Sequence, residues 1–209
     1  MERSSSGASC KWRRLVSTLT TDAKSNEITA VPKLLKMLTL KGAIVTADAL
    51  NCQRSIAEQI VEQEGDYALA LKGNQGTLYD DVRLLLDDLE SKASTGAPVV
   101  EGDHGRVETR TATVSTEIGW LQKQHRWPGL AAIGKVERIR ETPEKTSAET
   151  AYYLFSTALS PGRFNEVVRQ HWGVENRLHW RLDVVMNRIR IEPGWETART
   201  ISPCSGTWL

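Results

Sequence analysis

Residues 42–72 hold the pattern that most restricts the fold. Gly42-Ala43-Ile44-Val45-Thr46-Ala47-Asp48 is a continuous apolar run rich in β-branched side chains, which reads as a buried strand. Gln53 to Glu64 follows, with Ile56, Ala57, Ile60 and Val61 at helical spacing. Asp66 to Lys72 then alternates large and small apolar residues in the manner of a second strand. Two strands joined by a helix pair in parallel, since the helix returns the chain to the end from which it started. The fold class expected is α/β, with a mixed sheet and flanking helices. Asp48 then sits at the C-terminal end of its strand, where open α/β sheets gather their reacting groups.

The rest of the chain is read around that unit. Residues 1–23 are Ser- and Arg-rich without a period and are expected to be coil, and order is expected to begin at Lys24-Ser25-Asn26-Glu27. Pro32 is expected to open a short helix over VPKLLKML, where its missing N–H is no loss. Leu78 to Leu89 reads as an acidic amphipathic helix, and SKASTGAPVVEGDHG as a loop. Val107, Thr109, Thr111 and Thr113 alternate in a strand, and Ala131–Arg140 and Thr150–Leu159 are two more, joined by the charged turn ETPEKTSAE. Pro161-Gly162 precedes a final helix from Phe164 to Val185, with Val167, His171, Val174, Leu178, Leu182 and Val185 on one face. No repeat and no second domain are evident.

Composition narrows the classes. A chain of 209 residues can bury one ordinary core. A net charge of +1 gives no overall attraction to DNA, so phosphate binding has to come from local clusters of Lys and Arg. Cys10, Cys52 and Cys204 are far apart and form no CxxC pair, which argues against a zinc module and a disulfide framework and for a reducing, cytoplasmic setting. No apolar run approaches the roughly 18 residues of a membrane span. The start MERSSSGASCKWRR has no apolar centre of a secretory signal.

The chemistry is concentrated in His171-Trp172-Gly173-Val174-Glu175-Asn176-Arg177-Leu178-His179-Trp180, which sets one carboxylate among basic and aromatic side chains. With Asp48 it suggests a site for a divalent ion beside a nucleic-acid phosphate. Plainer readings stand beside this one. Asp48 at a strand-to-helix junction is a good N-cap. Glu175 could be a surface residue paired with His171 or His179, each four positions away. A zinc site from His171, Glu175 and His179 would need three ligands from one straight helix. Trp120, Trp127, Trp172 and Trp180 are more often core than base-stacking platforms. Arg169, Arg177, Arg181, Arg188 and Arg190 are a solvated face or a phosphate contact.

The ordered motifs KSNEI, VTADALNCQ, DYALALKGNQ, HGRVETR, WPGL and RQHWGVENRLHWRLDV closely resemble those of insertion-sequence DDE transposases of the As-one type, from Lys24 to Asn187. The resemblance implies a ribonuclease H-like core in which two Asp and one Glu hold two Mg²⁺ ions for DNA strand cleavage and joining. Carried over by position, Asp48 resembles the second catalytic Asp and Glu175 the catalytic Glu, both as metal ligands. Hard carboxylate oxygens suit Mg²⁺, with one ion activating the attacking oxygen and the other stabilising the leaving one. Lys72, Asn74 and Gln75 resemble a polar loop beside the active site. These three, with His104, Arg106, Arg110, His171 and Arg177, are the candidates for DNA contact. The partners implied are transposon ends and target DNA, with a transposase oligomer, in the bacterial cytoplasm and nucleoid.

Two departures from the family pattern qualify this. The family's first Asp lies in a DGK-type strand upstream of KSNEI, and no residue here matches it, since Asp22 falls beside KSNEI. After LDVVMN, relatives continue with a segment resembling EDQDRTRLGNGPHNLAVLRHMAL, whereas this chain reads RIRIEPGWETARTISPCSGTWL. Permitted codons read in a shifted frame restore almost all of the relatives' segment. The expectation is therefore a partial catalytic domain over residues 24–187, with an incomplete ribonuclease H-like core, marginal stability and a frameshifted tail over 188–209. Such a decayed copy would be inactive by itself. The rival is a non-catalytic DNA-binding or transposase-interacting fragment that regulates an intact copy.

Overall fold

The structure is a computed structural model, and it describes residues 27–88, 92–103 and 105–171. The expected parallel unit stands at one edge of the sheet, and its first strand is outermost and half-buried rather than buried as the apolar run suggested, because only one neighbour covers it. Strand β1 (Ile44–Ala47) leads through a short 3₁₀ turn (Ala49–Asn51) into helix α2 (Arg54–Glu62) and then strand β2 (Asp66–Leu71). β1 pairs with β2 in parallel, Ile44 opposite Asp66 and Ala47 opposite Leu69. Helix α1 (Glu27–Lys36) precedes this unit and helix α3 (Thr77–Asp87) follows it.

The second half is antiparallel. Strands β5 (Arg106–Ser115), β6 (Ala132–Glu141) and β7 (Thr146–Phe155) form a meander, and β7 docks antiparallel on β2. The path across the sheet is β1-β2-β7-β6-β5-β3, where β3 is Ser94–Thr95, while β4 (Val99–Asp103) also pairs with β5. This is the mixed α/β sheet with flanking helices that the residue pattern called for.

Two further expectations are corrected, and one segment left without an element gains one. Pro32 lies inside α1, which begins five residues earlier at Glu27, so proline does not open that helix. The stretch read as one loop holds β3 and β4. Val99 and Val100 supply β-branched side chains, and the turn before β5 is met by Gly105 at φ +75°. The low complexity of that stretch concealed its strand content. The segment 119–125, to which no element had been assigned, is helix α4 (Gly119–His125), capped at Arg126 in the left-handed region. The joint between β6 and β7 is also tighter than the charged segment suggested, since Thr142 and Lys145 bond to each other across it.

The sheet has a core on each face. One is built from Leu35, Ile56, Ile60, Tyr67, Leu69, Leu71, Val82, Leu121, Trp127 and Leu154 under α1 to α4. The other holds Ala68, Ala112, Val114, Ala132, Val136, Tyr153 and Phe155, covered by Phe164, Val167 and Val168 of a helix whose described residues are 161–171. Phe164 stands edge-on to Phe155 and Tyr153, with ring centroids 4.7 and 5.2 Å away. That helix can sit close because Gly134 has no side chain: a Cβ there would lie 2.8 Å from Phe164 and 2.9 Å from Phe155. It is the helix that leads into the HWGVEN motif.

Candidate metal centre and nucleic-acid interface

Asp48 follows β1 directly and is exposed. It does cap the turn after it: its Oδ1 accepts from Asn51 N at 3.2 Å and from Asn51 Nδ2 at 2.9 Å. Both bonds fall on one oxygen, and Oδ2 takes none among the described residues. Capping and an outward-facing carboxylate oxygen therefore coexist at this residue. Beneath it lies buried Cys52, whose thiol is pushed up to about 12 by burial and then by the Asp48 charge, so it remains a protonated core group.

The turn after Asp48 is held from a second side. Asn74 Nδ2 donates to Ala49 O at 2.8 Å, and Gln75 Nε2 donates to Cys52 O at 2.5 Å. These two side chains, expected at a DNA contact, have their amide nitrogens committed to the backbone beside Asp48. The sequence held the motif but no sign of which carbonyls it would meet. Lys72, from the same motif, is exposed and makes no ion pair among the described residues.

The last described helix reaches this end of the sheet. His171 Nδ1 lies 3.0 Å from Thr46 Oγ1, and Thr46 stands two residues before Asp48. Thr46 and Asp48 share a strand face by the period of two, the face that also carries Ile44 of the second core. Glu175, Arg177 and His104 lie outside the described residues. Among the described residues no three His, Cys, Asp or Glu side chains converge as a metal cluster.

Arg106 and Arg110 belong to a different place. β5 is separated from β1 by β2, β7 and β6, which is four strand spacings or roughly 19 Å across the sheet. There Arg110 binds Glu108 (2.6 Å) and Glu101 (3.2 Å), and Arg140 binds the other oxygen of Glu108 at 3.4 Å. Arg169, from the helix, pairs with Glu101, and Arg138 pairs with Glu149. The Glu108 side chain is only 7% exposed. Burial alone would raise its pKa, yet the bond and charge of Arg110, with Arg138 and Arg140 behind it, hold it below the usual carboxylate value. Glu101, Glu108, Arg138 and Arg140 escaped notice in the sequence, although Arg106-x-Glu108-x-Arg110 has the alternation of one strand face. Of the two tryptophans described, Trp127 is core, with Arg54 stacked 5.2 Å over it, and Trp120 is half exposed.

A scaffold that presents a carboxylate at the end of a parallel strand, with a helix crossing toward it, belongs to a definite class. The chain matches the model of the transposase DDE domain over residues 13–192 and belongs to that family. Its relatives include an uncharacterized protein in dhlA 3'region of Xanthobacter autotrophicus, 45% identical over 154 residues that cover 73% of this chain and 52% of the relative. The H repeat-associated putative transposase YhhI of Escherichia coli K12 is 40% identical, covering 83% of this chain and 48% of its own. The putative transposase YncI of Escherichia coli O157:H7 is 38% identical, covering 80% and 44%. The chain thus spans about half the length of the curated relatives it matches.

Proposed function

We propose that this chain is part of a DNA transposase that cleaves and joins DNA strands, with Asp48 and Glu175 as carboxylate ligands of Mg²⁺. The contact of His171 with Thr46 carries this reading. Asp48 shares a strand face with Thr46, and Glu175 follows His171 at the i,i+4 spacing that places two residues on one face of a helix. Asp48 and Glu175 are the carboxylates of VTADALNCQ and HWGVEN, the two motifs that carry the family resemblance.

The residues present suit such an ion. Asp48 offers a hard oxygen at an exposed position, and its other oxygen is already fixed by Asn51. A bound divalent ion would supply positive charge to a phosphodiester and acidify an attacking water. Asn51 orients the Asp48 carboxylate, Asn74 and Gln75 hold its turn, and His171 ties the helix to the strand. Lys72 is proposed to meet DNA at this end and Arg106 and Arg110 at the far one, with His104, His171 and Arg177 as further proposed contacts. The proposed setting is the bacterial cytoplasm and nucleoid, with a transposase oligomer acting on transposon ends and target.

Two of the three carboxylates of the family pattern are matched within these 209 residues. The 209-residue chain alone is therefore proposed to lack cleavage activity, since misplacing reacting groups by about 1 Å can cost roughly a hundredfold in rate. Calorimetric titration with Mn²⁺ tests the ligand assignment. Asp48→Asn and Glu175→Gln should each weaken binding about tenfold or more, and equal affinity in all three proteins would refute it. Mg²⁺-dependent cutting of the element's ends by the purified chain, abolished by Asp48→Asn, would sink the inactivity. The second reading, a DNA-binding regulator, is favoured by the arginine cluster on β5 and β6, which needs no metal. It predicts DNA binding that persists in a chelator.

A further inference from the structure

The charged end of the sheet encloses a polar cleft of about 440 Å³ between the β4–β5 hairpin and helix 161–171, lined by Glu101, Arg106, Glu108, Arg110 and Arg169. Arg110 and Arg169 also line a smaller cavity beside it, with Arg138 and Glu149. Within this cleft the partners are unequally committed. Glu108 is buried and takes its bonds from Arg110 and Arg140. Glu101 is the carboxylate at the opening: one oxygen meets Arg110 of the sheet at 3.2 Å and the other meets Arg169 of the helix. The Arg169 side chain is 60% exposed and Glu101 30%. Arg106 is exposed and makes no ion pair among the described residues.

We propose that this cleft is a phosphate-binding site for the DNA backbone and that Glu101 is its internal counter-anion, occupying the place between Arg110 and Arg169 that a phosphate takes on binding. This rests on DNA being the partner. Three features favour it. Two guanidiniums converge on one carboxylate from separate elements, the fork geometry that also receives a phosphate. Glu108 fixes Arg110 from behind with a bond to Nε at 2.8 Å, so the donor is preorganised whether or not Glu101 is in place. Among the described residues Glu101 pairs with two guanidiniums, the exposed Arg169 and the more buried Arg110, and it is itself 30% exposed, so it can swing into water when a stronger anion arrives. By strand alternation Arg110 lies on the same sheet face as Asp48, beside the helix that covers the second core. Phosphate contact here needs no metal.

The test is salt-dependent binding of a short labelled DNA duplex to the full chain in a chelator, with inorganic phosphate as the second probe. Glu101→Gln should tighten duplex binding several-fold, and Glu62→Gln, the same charge change on the exposed side of α2, should not. Arg106→Ala with Arg169→Ala should weaken binding and reduce the slope of log K against log salt by about 1 to 2, one phosphate contact accounting for about 0.9. Arg106→Ala alone removes an exposed side chain outside the ion-pair cluster and keeps the test valid should the double variant fold poorly; it should lower the slope by about 1. Competition by inorganic phosphate only far above duplex concentrations supports a backbone site; equal competition would mean a free-phosphate site and overturn the DNA assignment. An unchanged slope, or equal effects of Glu101→Gln and Glu62→Gln, would also overturn it. Duplex binding that appears only with Mg²⁺ and vanishes in Asp48→Asn would overturn the cleft while leaving the metal reading intact.

Discussion

Asp48 caps a turn with one carboxylate oxygen and keeps the other clear of hydrogen bonds among the described residues. Its Oδ1 closes the turn that follows β1 while Oδ2 remains outward, so the capping reading and the metal reading of the sequence are compatible. Glu108 is the opposite case, a carboxylate committed wholly to structure. Its pKa is lowered in the folded state, so its contribution to stability is present above the unfolded value and is lost as pH falls through the folded one. Glu108→Gln should cost about 2 kcal/mol at neutral pH, the scale of bonds to a charged group. The difference from the parent protein should shrink below about pH 4, near the ordinary carboxylate value. Urea unfolding at several pH values checks this, and a pH-independent difference would remove the ion-pair explanation. The sequence showed Glu108 only as one letter in HGRVETR, because burial of a charge depends on the neighbouring strands.

At the scale of elements, the helix over 161–171 is what covers the second core. Its seat depends on Gly134, where Thr113 O, Phe155 and Phe164 all stand within 3.0 Å of the place a Cβ would take. Gly134→Ala should overpack that face and cost about 1–3 kcal/mol. Hydrogen exchange should show the loss first in residues 161–171 rather than in α2 or α3. Likewise Gln75→Ala frees Cys52 O, and the amides of Asn51 and Cys52 should exchange faster without global unfolding. The parallel unit was legible beforehand because the apolar run of β1 and the periods of α2 and β2 are local, although the edge position of β1 was not. Strand β4 was not, since Val99 and Val100 are few among Ser, Gly and Ala, and their pairing depends on β5. The start of α1 was misplaced because a proline tolerated inside a helix resembles one that opens it. The interlock of Asn74 and Gln75 with the Asp48 turn was invisible for the same reason as β4: it joins segments more than twenty residues apart.

On the scale of the molecule, the sheet separates two polar regions, one at each side. Asp48 and the Thr46–His171 contact lie at the β1 side, and the arginine cleft lies at the β5 side. Motif order in the sequence pointed to the first, since VTADALNCQ and HWGVEN carry the two carboxylates proposed for it. The second was only half visible: Arg106 and Arg110 were singled out as DNA contacts, but Glu101 and Arg169 enter from other elements. Under the proposed function Asp48 and Glu175 are ligands of the same Mg²⁺. Replacing Mg²⁺ by Fe²⁺ and adding ascorbate and peroxide generates hydroxyl radicals at the ion, and the cut sites in the polypeptide report which segments surround it. Shared ligation gives cuts near residue 48 and near residue 175, both lost on adding excess Mg²⁺ and both lost in Asp48→Asn. Cutting at one segment only, or an unchanged pattern in Asp48→Asn, would contradict it.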